Sequence, residues 1–252
     1  ASVGQKCPDC AAPDPRARVV QARSTIGRPN RQTSPVSFGI MGVTVAIFLL
    51  GFISPEVDAW LLENFALVTE PGVVYVNAGV VLLPEAYKIF TVALLHSGWM
   101  HLFFNMYALY LFGPRLEQQV GSSAFAALYV AAAGAGGAMS YVLGPPSQVS
   151  VGASGAIFGL FGAWLFVAWK MRSTPGGRAM FNQLFILLAI NLALPLLVPN
   201  IDWRAHLGGL AGGILIAFLW SRFAVGQPNA RAIRTVIALG VIASSIAAVM
   251  IL

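Results

Sequence analysis

The sequence Gly152-Ala153-Ser154-Gly155 leads directly into an apolar run at 156–169. Glycines allow another backbone to come close, and a helix that begins here presents free N–H groups and the positive end of its dipole. Ser154 is therefore a candidate nucleophile beside a candidate anion pocket. These four residues do not decide the matter alone, because serine is also a common packing residue in membrane helices.

The composition places this serine in a membrane protein. Of the 252 residues, 58% are hydrophobic and only 10% are charged, and the mean hydropathy is +0.76. A soluble domain carries about 25% charged residues, so a soluble α/β-hydrolase with its serine at a nucleophile elbow is excluded. The net charge of +6 is interpreted as a topology signal and not as nucleic-acid binding.

The apolar segments predict an all-α polytopic bundle. A polar, basic tail at 1–34 is expected to be disordered. After it come seven segments near the roughly 20 residues that a spanning helix needs, at 36–54, 89–113, 123–143, 153–171, 180–198, 204–222 and 232–252. Since the second segment contains His96-Ser97-Gly98, its spanning helix is expected to begin near Gly98.

The basic residues predict the orientation. With the N-terminus inside, thirteen of the fifteen Lys and Arg residues lie on the inner side, and only Lys88 and Arg204 lie outside. Such an excess is the positive-inside pattern. The first outer loop is acidic instead and includes Trp60, so we expect part of it to lie in the membrane interface.

This topology brings four polar side chains to one depth. Segments two, four and six all enter from the outer face, and their N-terminal ends carry His101 and Asn105, Ser154, and His206. Each of these side chains could simply form a hydrogen bond that holds two helices together. However, burying a polar group inside a bilayer costs free energy, and such groups usually face a cavity or each other. Small residues predict close packing of segments four and six: Gly155 and Gly159 on one, Gly208, Gly209, Gly212 and Gly213 on the other.

Taken together, these motifs resemble the rhomboid intramembrane serine proteases. His101-x-x-x-Asn105, Gly152-x-Ser154-Gly155 and Ala205-His206 occur in the family's order and topology. The resemblance covers 35–223 and implies a six-helix protease core, with one additional helix in 224–252. It also implies a structural role for Glu117 at the inner end of the second helix.

The resemblance implies a role for each site residue. Ser154 would attack the scissile carbonyl and His206 would act as general base and then acid. The Ser154 N–H, His101 and Asn105 would bind the oxyanion, while Gly152, Gly155 and Phe158 would support the site. Bacterial relatives often have Tyr at the position of Phe158, whose ring stacks on the histidine. Asp202 is expected in the outer loop, so the interpretation is a Ser-His dyad.

The expected function is intramembrane proteolysis at the inner (plasma) membrane, with the site open to the extracytoplasmic face. The expected substrates are membrane proteins cut in or near a transmembrane segment, reached laterally past the fifth helix, and no cofactor is expected. One alternative is an inactive rhomboid-like protein that binds or escorts membrane helices. A transporter or channel is another, but no inverted repeat is visible. No oligomeric state is predicted from the sequence.

The tail contains Cys7-Pro8-Asp9-Cys10, the spacing of half a zinc site with no second pair. A disulfide between these cysteines does not suit a cytosolic tail. The motif resembles the end of a longer cysteine-rich extension in some family members.

Overall fold

The computed structural model describes residues 33–69, 76–77, 80–81, 85–198 and 201–251. The basic tail with Cys7 and Cys10 lies outside the described residues. Helices dominate the chain, and their bounds are α1 (Pro35–Ile53), α2 (Pro55–Phe65), α3 (Lys88–Thr91), α4 (Trp99–Val120), α5 (Ser122–Leu143), α6 (Ser154–Lys170), α7 (Pro175–Ala193), α8 (Trp203–Phe223) and α9 (Ala230–Met250). The all-α fold is thereby confirmed, and α4 begins at Trp99, as predicted from Gly98.

Within the described residues, four short strands form two antiparallel pairs: β1 (Leu67–Thr69) with β4 (Gln148–Ser150), and β2 (Val76–Asn77) with β3 (Val80–Val81). In the first pair Leu67 faces Ser150 and Thr69 faces Gln148. This pair joins the α1–α4 connection to the segment that leads into α6.

Local signals explain where several helices begin. Proline occupies the first turn of α1, α2 and α7, where its missing N–H costs nothing. Thr174 caps α7 by accepting a hydrogen bond from the Gly177 N–H at 3.1 Å, and Asp202 caps α8 in the same way.

Among the described residues, five helices are long and apolar enough to cross a bilayer: α1, α5, α8, α9, and α7 together with a 3₁₀ turn that extends it to Leu196. Helix α6 has 17 residues, and α4 carries His101, Asn105, Arg115 and Glu117. The multi-pass membrane fold is confirmed, whereas seven crossings and the side of the N-terminus stay predictions. The division at residues 34 and 223 also stays a prediction.

Helices α5, α6 and α8 form the centre of the bundle. Gly136 and Ala132 of α5 meet Gly155 and Gly159 of α6, so α5 and α6 run antiparallel. The largest cluster of buried apolar side chains joins α4, α5, α6, α8 and α9. By contrast, α7 buries only Gly177, Leu184 and Leu188.

A buried carboxylate fastens α1 to this centre. The Glu117 side chain, 1% exposed, accepts hydrogen bonds from the N–H groups of Val36 and Ser37 at 3.1 and 2.8 Å. It also accepts from the Ser37 and Ser122 hydroxyls at 2.8 and 2.7 Å. A negative charge at the first turn of α1 is favourable because free N–H groups and the helix dipole meet it there.

Candidate active site

Ser154 is the first residue of α6 and is half-buried. Gly152 precedes it with φ +129°, in the region where glycine is strongly preferred. The Gly152 N–H donates to the carbonyl oxygen of Val92 at 3.0 Å. This bond holds the turn against the chain that leads into α4. The start of an apolar helix at this serine, predicted from the sequence, is confirmed.

His101 of α4 lies against this turn. A Cβ built on Gly152 would lie 2.7 Å from both Cε1 and Nε2 of His101 and 3.8 Å from Ser154 Oγ. No side chain fits at Gly152, and the Nε2 edge of the imidazole faces the space beside the serine. On the other edge, His101 Nδ1 is hydrogen-bonded to Ser97 Oγ at 3.1 Å.

Asn105 lies one turn further along α4 and is 6% exposed. Its Nδ2 donates to the carbonyl oxygen of His101 at 2.9 Å. One amide hydrogen is engaged in this bond, and the second hydrogen of the same nitrogen is available to another acceptor.

His206 of α8 is brought to the same face of α6 as Ser154. Its ring stacks on Phe158, with ring centroids 4.2 Å apart and an interplanar angle of 9°. Phe158 follows Ser154 by four residues and so shares its helix face. The stacking expected for Phe158 is confirmed. Nδ1 of His206 is buried without a hydrogen-bond partner among the residues that the structure describes.

Helices α6 and α8 touch backbone to backbone. A Cβ on Gly209 would overlap the carbonyl oxygen of Gly155, and one on Gly213 would overlap that of Gly159. The contacts advance together along both helices, so α6 and α8 run parallel. The small-residue packing predicted for these helices is confirmed, and it is what lets a serine on α6 lie near a histidine on α8.

Three helices converge next to Ser154 and His206. A Cβ on Gly136 of α5 would lie 2.7 Å from the Ala205 carbonyl oxygen and 3.2 Å from the Gly155 Cα. Ala205 and Gly155 are the neighbours of His206 and Ser154. The positions of both candidate catalytic residues therefore depend on this contact.

The structure adds a polar network that sequence reasoning missed. Asp202 Oδ2 accepts hydrogen bonds from the hydroxyls of Ser140 and Ser150, the latter at 2.7 Å. Its Oδ1 accepts from the Ala205 N–H at 3.1 Å. Asp202 thus lies at the start of α8, tied to α5 and β4, instead of free in a loop. These three side chains and Ser154 line one cavity of about 20 Å³, room for about one water molecule.

Over the described part of the chain, no three His, Cys, Asp or Glu side chains are grouped so that they could hold a metal ion.

Comparison with known proteins gives the family. Residues 83–223 match the Rhomboid domain. Over 135 residues the chain is 40% identical to YdcA of Bacillus subtilis, a match that covers 54% of this chain and 67% of YdcA.

For two further relatives, the match covers a smaller share of the relative's own length. Identity to rhomboid protease GluP of Bacillus subtilis is 39% over 148 residues, 59% of this chain and 28% of GluP. Identity to RHOMBOID-like protein 1 of Arabidopsis thaliana is 40% over 139 residues, 54% of this chain and 35% of that protein. The Rhomboid match takes in the α4 histidine, the serine turn and the α8 histidine and covers more than half of the chain, so the chain belongs to the rhomboid family.

Proposed function

We propose that the protein is an intramembrane serine endopeptidase that cuts membrane proteins within or beside a transmembrane segment. The observation that carries the proposal is the stacking of His206 on Phe158, one turn from Ser154 on the same face of α6. A nucleophile and a base on two helices packed without intervening side chains form a dyad that the fold itself holds together.

In the proposed reaction, Ser154 Oγ attacks the scissile carbonyl carbon while His206 takes the hydroxyl proton. Collapse of the tetrahedral intermediate breaks the C–N bond, and His206 returns the proton to the leaving amine. Water then attacks the acyl-serine ester, with His206 again as base, and releases the second product. Phe158 holds the imidazole by its apolar face, in the place that a third catalytic residue takes in a triad.

The oxyanion would be held by three donors. Ser154 is the first residue of α6, so its backbone N–H has no partner within the helix. His101 Nε2 faces the space beside the serine, and it carries the proton when the Ser97 hydroxyl donates to Nδ1. Asn105 contributes its second amide hydrogen. Groups fixed before the reaction stabilise the developing charge without reorganisation.

Substrates are proposed to arrive laterally, past α7 and the connection to α8. Few side chains hold α7 against the bundle, so separating it from α6 exposes little buried surface. A spanning helix satisfies its own backbone hydrogen bonds, which means that the substrate has to unwind locally before the serine can reach it. The site is proposed to open to the extracytoplasmic side of the bacterial inner membrane.

The test is cleavage of a model transmembrane substrate by purified protein in detergent and in vesicles. We expect Ser154→Ala and His206→Ala to abolish cleavage while elution and thermal unfolding stay unchanged. Ser244→Ala, on the exposed side of α9, is the matched control and should keep full activity. A fluorophosphonate should label the wild type at Ser154. Folded wild-type protein that neither cleaves nor reacts with the probe would favour the inactive escort.

Removal of a single proposed oxyanion donor should lower turnover without abolishing it. Removal of one such donor typically lowers turnover by about 10²–10³, so His101→Ala and Asn105→Ala should each leave measurable activity. If these residues only brace the helices, the melting temperature falls while kcat per folded molecule stays normal. Both quantities are measured on the same preparations.

A further inference from the structure

A basic pocket lies at the far end of α6 from Ser154, where the chain turns from α6 into α7. Its volume is about 550 Å³. The pocket is lined by three cationic side chains and three others, namely Lys170, Arg172 and Arg178 with Ser173, Phe181 and Asn182. The three positive charges come from the end of α6, from the turn and from the first turn of α7.

One of these cations is already held in place. Arg172 Nη1 donates to the carbonyl oxygen of Trp169 at 2.8 Å, and its guanidinium lies over the Trp169 ring at 4.4 Å. Such stacking is favourable for a guanidinium. Less side-chain entropy is therefore lost when a ligand binds here than at a freely rotating arginine.

Within the described residues, no carboxylate forms an ion pair with the cations of the pocket. Within the described residues the acidic side chains at the α1–α4 connection and the start of α8 lie near the opposite end of α6. Glu117 is occupied by four hydrogen bonds from α1 and α5. The ion pair that the described residues do form joins Lys88 to Glu85. An anion in the pocket would relieve the repulsion among its three cations.

The donors around the pocket suit a phosphate group. Guanidinium groups match phosphate oxygens with paired hydrogen bonds and an ammonium supplies a point charge, while Ser173 and Asn182 add neutral donors. Trp169 and Phe185 are exposed beside the pocket, 43% and 55% respectively, and Phe181 lines it. An aromatic surface of this kind suits the upper part of an acyl chain.

We propose that this pocket binds a phosphate-bearing anion, and the aromatic side chains beside it favour the headgroup of an anionic phospholipid over free phosphate. Basic pockets between spanning helices are a known way to hold such headgroups. The ligand would bridge α6 and α7 at one end. Since α7 is otherwise loosely packed, the bound lipid would fix this end of the helix beside which substrates are proposed to pass.

The test uses purified protein in a neutral detergent with equal amounts of the anionic lipid POPG and the zwitterionic lipid POPC. Native mass spectrometry counts the lipids that stay bound. We expect wild type to retain about tenfold more bound POPG than POPC. The variant Lys170→Gln/Arg172→Gln/Arg178→Gln should bind both lipids equally. The control Arg115→Gln/Arg222→Gln/Arg231→Gln loses the same charge elsewhere and should retain the wild-type ratio within about twofold.

A second arm separates the two sources of phosphate. Inorganic phosphate alone is added to wild type and to both triple variants, and thermal unfolding is recorded. A rise in melting temperature that needs the pocket cations assigns the site to free phosphate, whereas a response to POPG alone assigns it to the lipid. The proposal is overturned if neither ligand distinguishes the pocket variant from wild type, or if the control variant loses as much POPG.

Should the pocket variant fail to fold, Arg178→Gln alone replaces it, with Arg222→Gln as its partner control. A lower POPG ratio for Arg178→Gln only supports the pocket, and equal ratios for the two overturn it. None of these measurements uses proteolysis, so their outcome is separate from that of the proposed catalytic function.

Discussion

The contact between Phe158 and His206 sets how the imidazole can lie. A parallel ring at 4.2 Å restricts rotation of the histidine without donating a hydrogen bond. The Nδ1 atom, buried and unpartnered among described residues, is not oriented by a carboxylate. Packing therefore supplies the orientation that an aspartate supplies in a triad.

We predict that Phe158→Leu lowers kcat by about tenfold or more, because small misplacements of a catalytic group are costly. The matched control is Phe161→Leu, on the same helix, in the same apolar cluster and with the same 8% exposure. Both variants should lose similar stability, since each removes one buried ring. Steady-state kinetics with thermal unfolding separates the two effects, and an equal fall in kcat for both would reject the role of Phe158.

Asp202 is the side chain that connects the start of α8 with two serines. We predict that Asp202→Ala lowers the free energy of unfolding by about 1–3 kcal/mol, since a helix cap is lost and buried hydroxyls lose their acceptor. It should also lower kcat, because His206 lies in the turn that Asp202 caps. Asp202→Asn, which keeps a capping oxygen, should recover most of the turnover.

The control for a cap alone is Ser54→Ala. Ser54 caps α2 by accepting from the Val57 N–H at 3.3 Å, far along the chain from the candidate dyad. Its loss should reduce stability only slightly and leave kcat unchanged. Normal kcat in folded Asp202→Ala would restrict Asp202 to a structural role.

The hydrophobic segments predicted the positions of the long helices closely. They did not predict the short helices and strands. The third segment, predicted at 123–143, is α5 at Ser122–Leu143, and the fourth, predicted at 153–171, is α6 at Ser154–Lys170. The second segment is interrupted, because α3 and a 3₁₀ turn at Val92–Leu94 precede α4. Pairing of β1 with β4 joins residues about 80 positions apart, and no local pattern signals such a contact.

The sequence also predicted part of the candidate site. Ser154, His101 and His206 could be placed at one level because alternate spanning helices begin on the same side. The partners of Asp202 could not be found in this way. Ser140 and Ser150 are ordinary polar residues in sequence, separated from Asp202 by 62 and 52 positions, and only the packing of α5 and β4 against the start of α8 makes them neighbours.

The parallel contact of α6 and α8 leaves no room for a methyl group. We predict that Gly209→Ala lowers the free energy of unfolding by about 3 kcal/mol or more, at the upper end for overpacked cores, because the added carbon meets the Gly155 carbonyl oxygen. In Gly240→Ala, the control on α9, the new carbon has no neighbour within 4 Å. That change should be neutral or stabilising by up to about 1 kcal/mol. Thermal unfolding in detergent tests both, and equal stability of the two variants would contradict the predicted overlap.

The distribution of Lys and Arg residues predicts how the whole bundle is oriented in the membrane. We predict that a cysteine at Ser173, with Cys7 and Cys10 replaced by serine, reacts with a membrane-impermeant maleimide only after cells are opened. A cysteine at Glu56 should react in intact cells. The reverse pattern would invert the topology and place the candidate active site on the cytoplasmic side.

The contact between α6 and α8 also has a consequence for how the protein is synthesised. Ser154 is synthesised before α7 and His206 only after it, so a chain made as far as α7 contains the proposed nucleophile without the proposed base. The glycine faces of α6 must wait for α8 to be inserted beside them. A newly made chain therefore completes the proposed Ser154–His206 pair only once α8 lies beside α6.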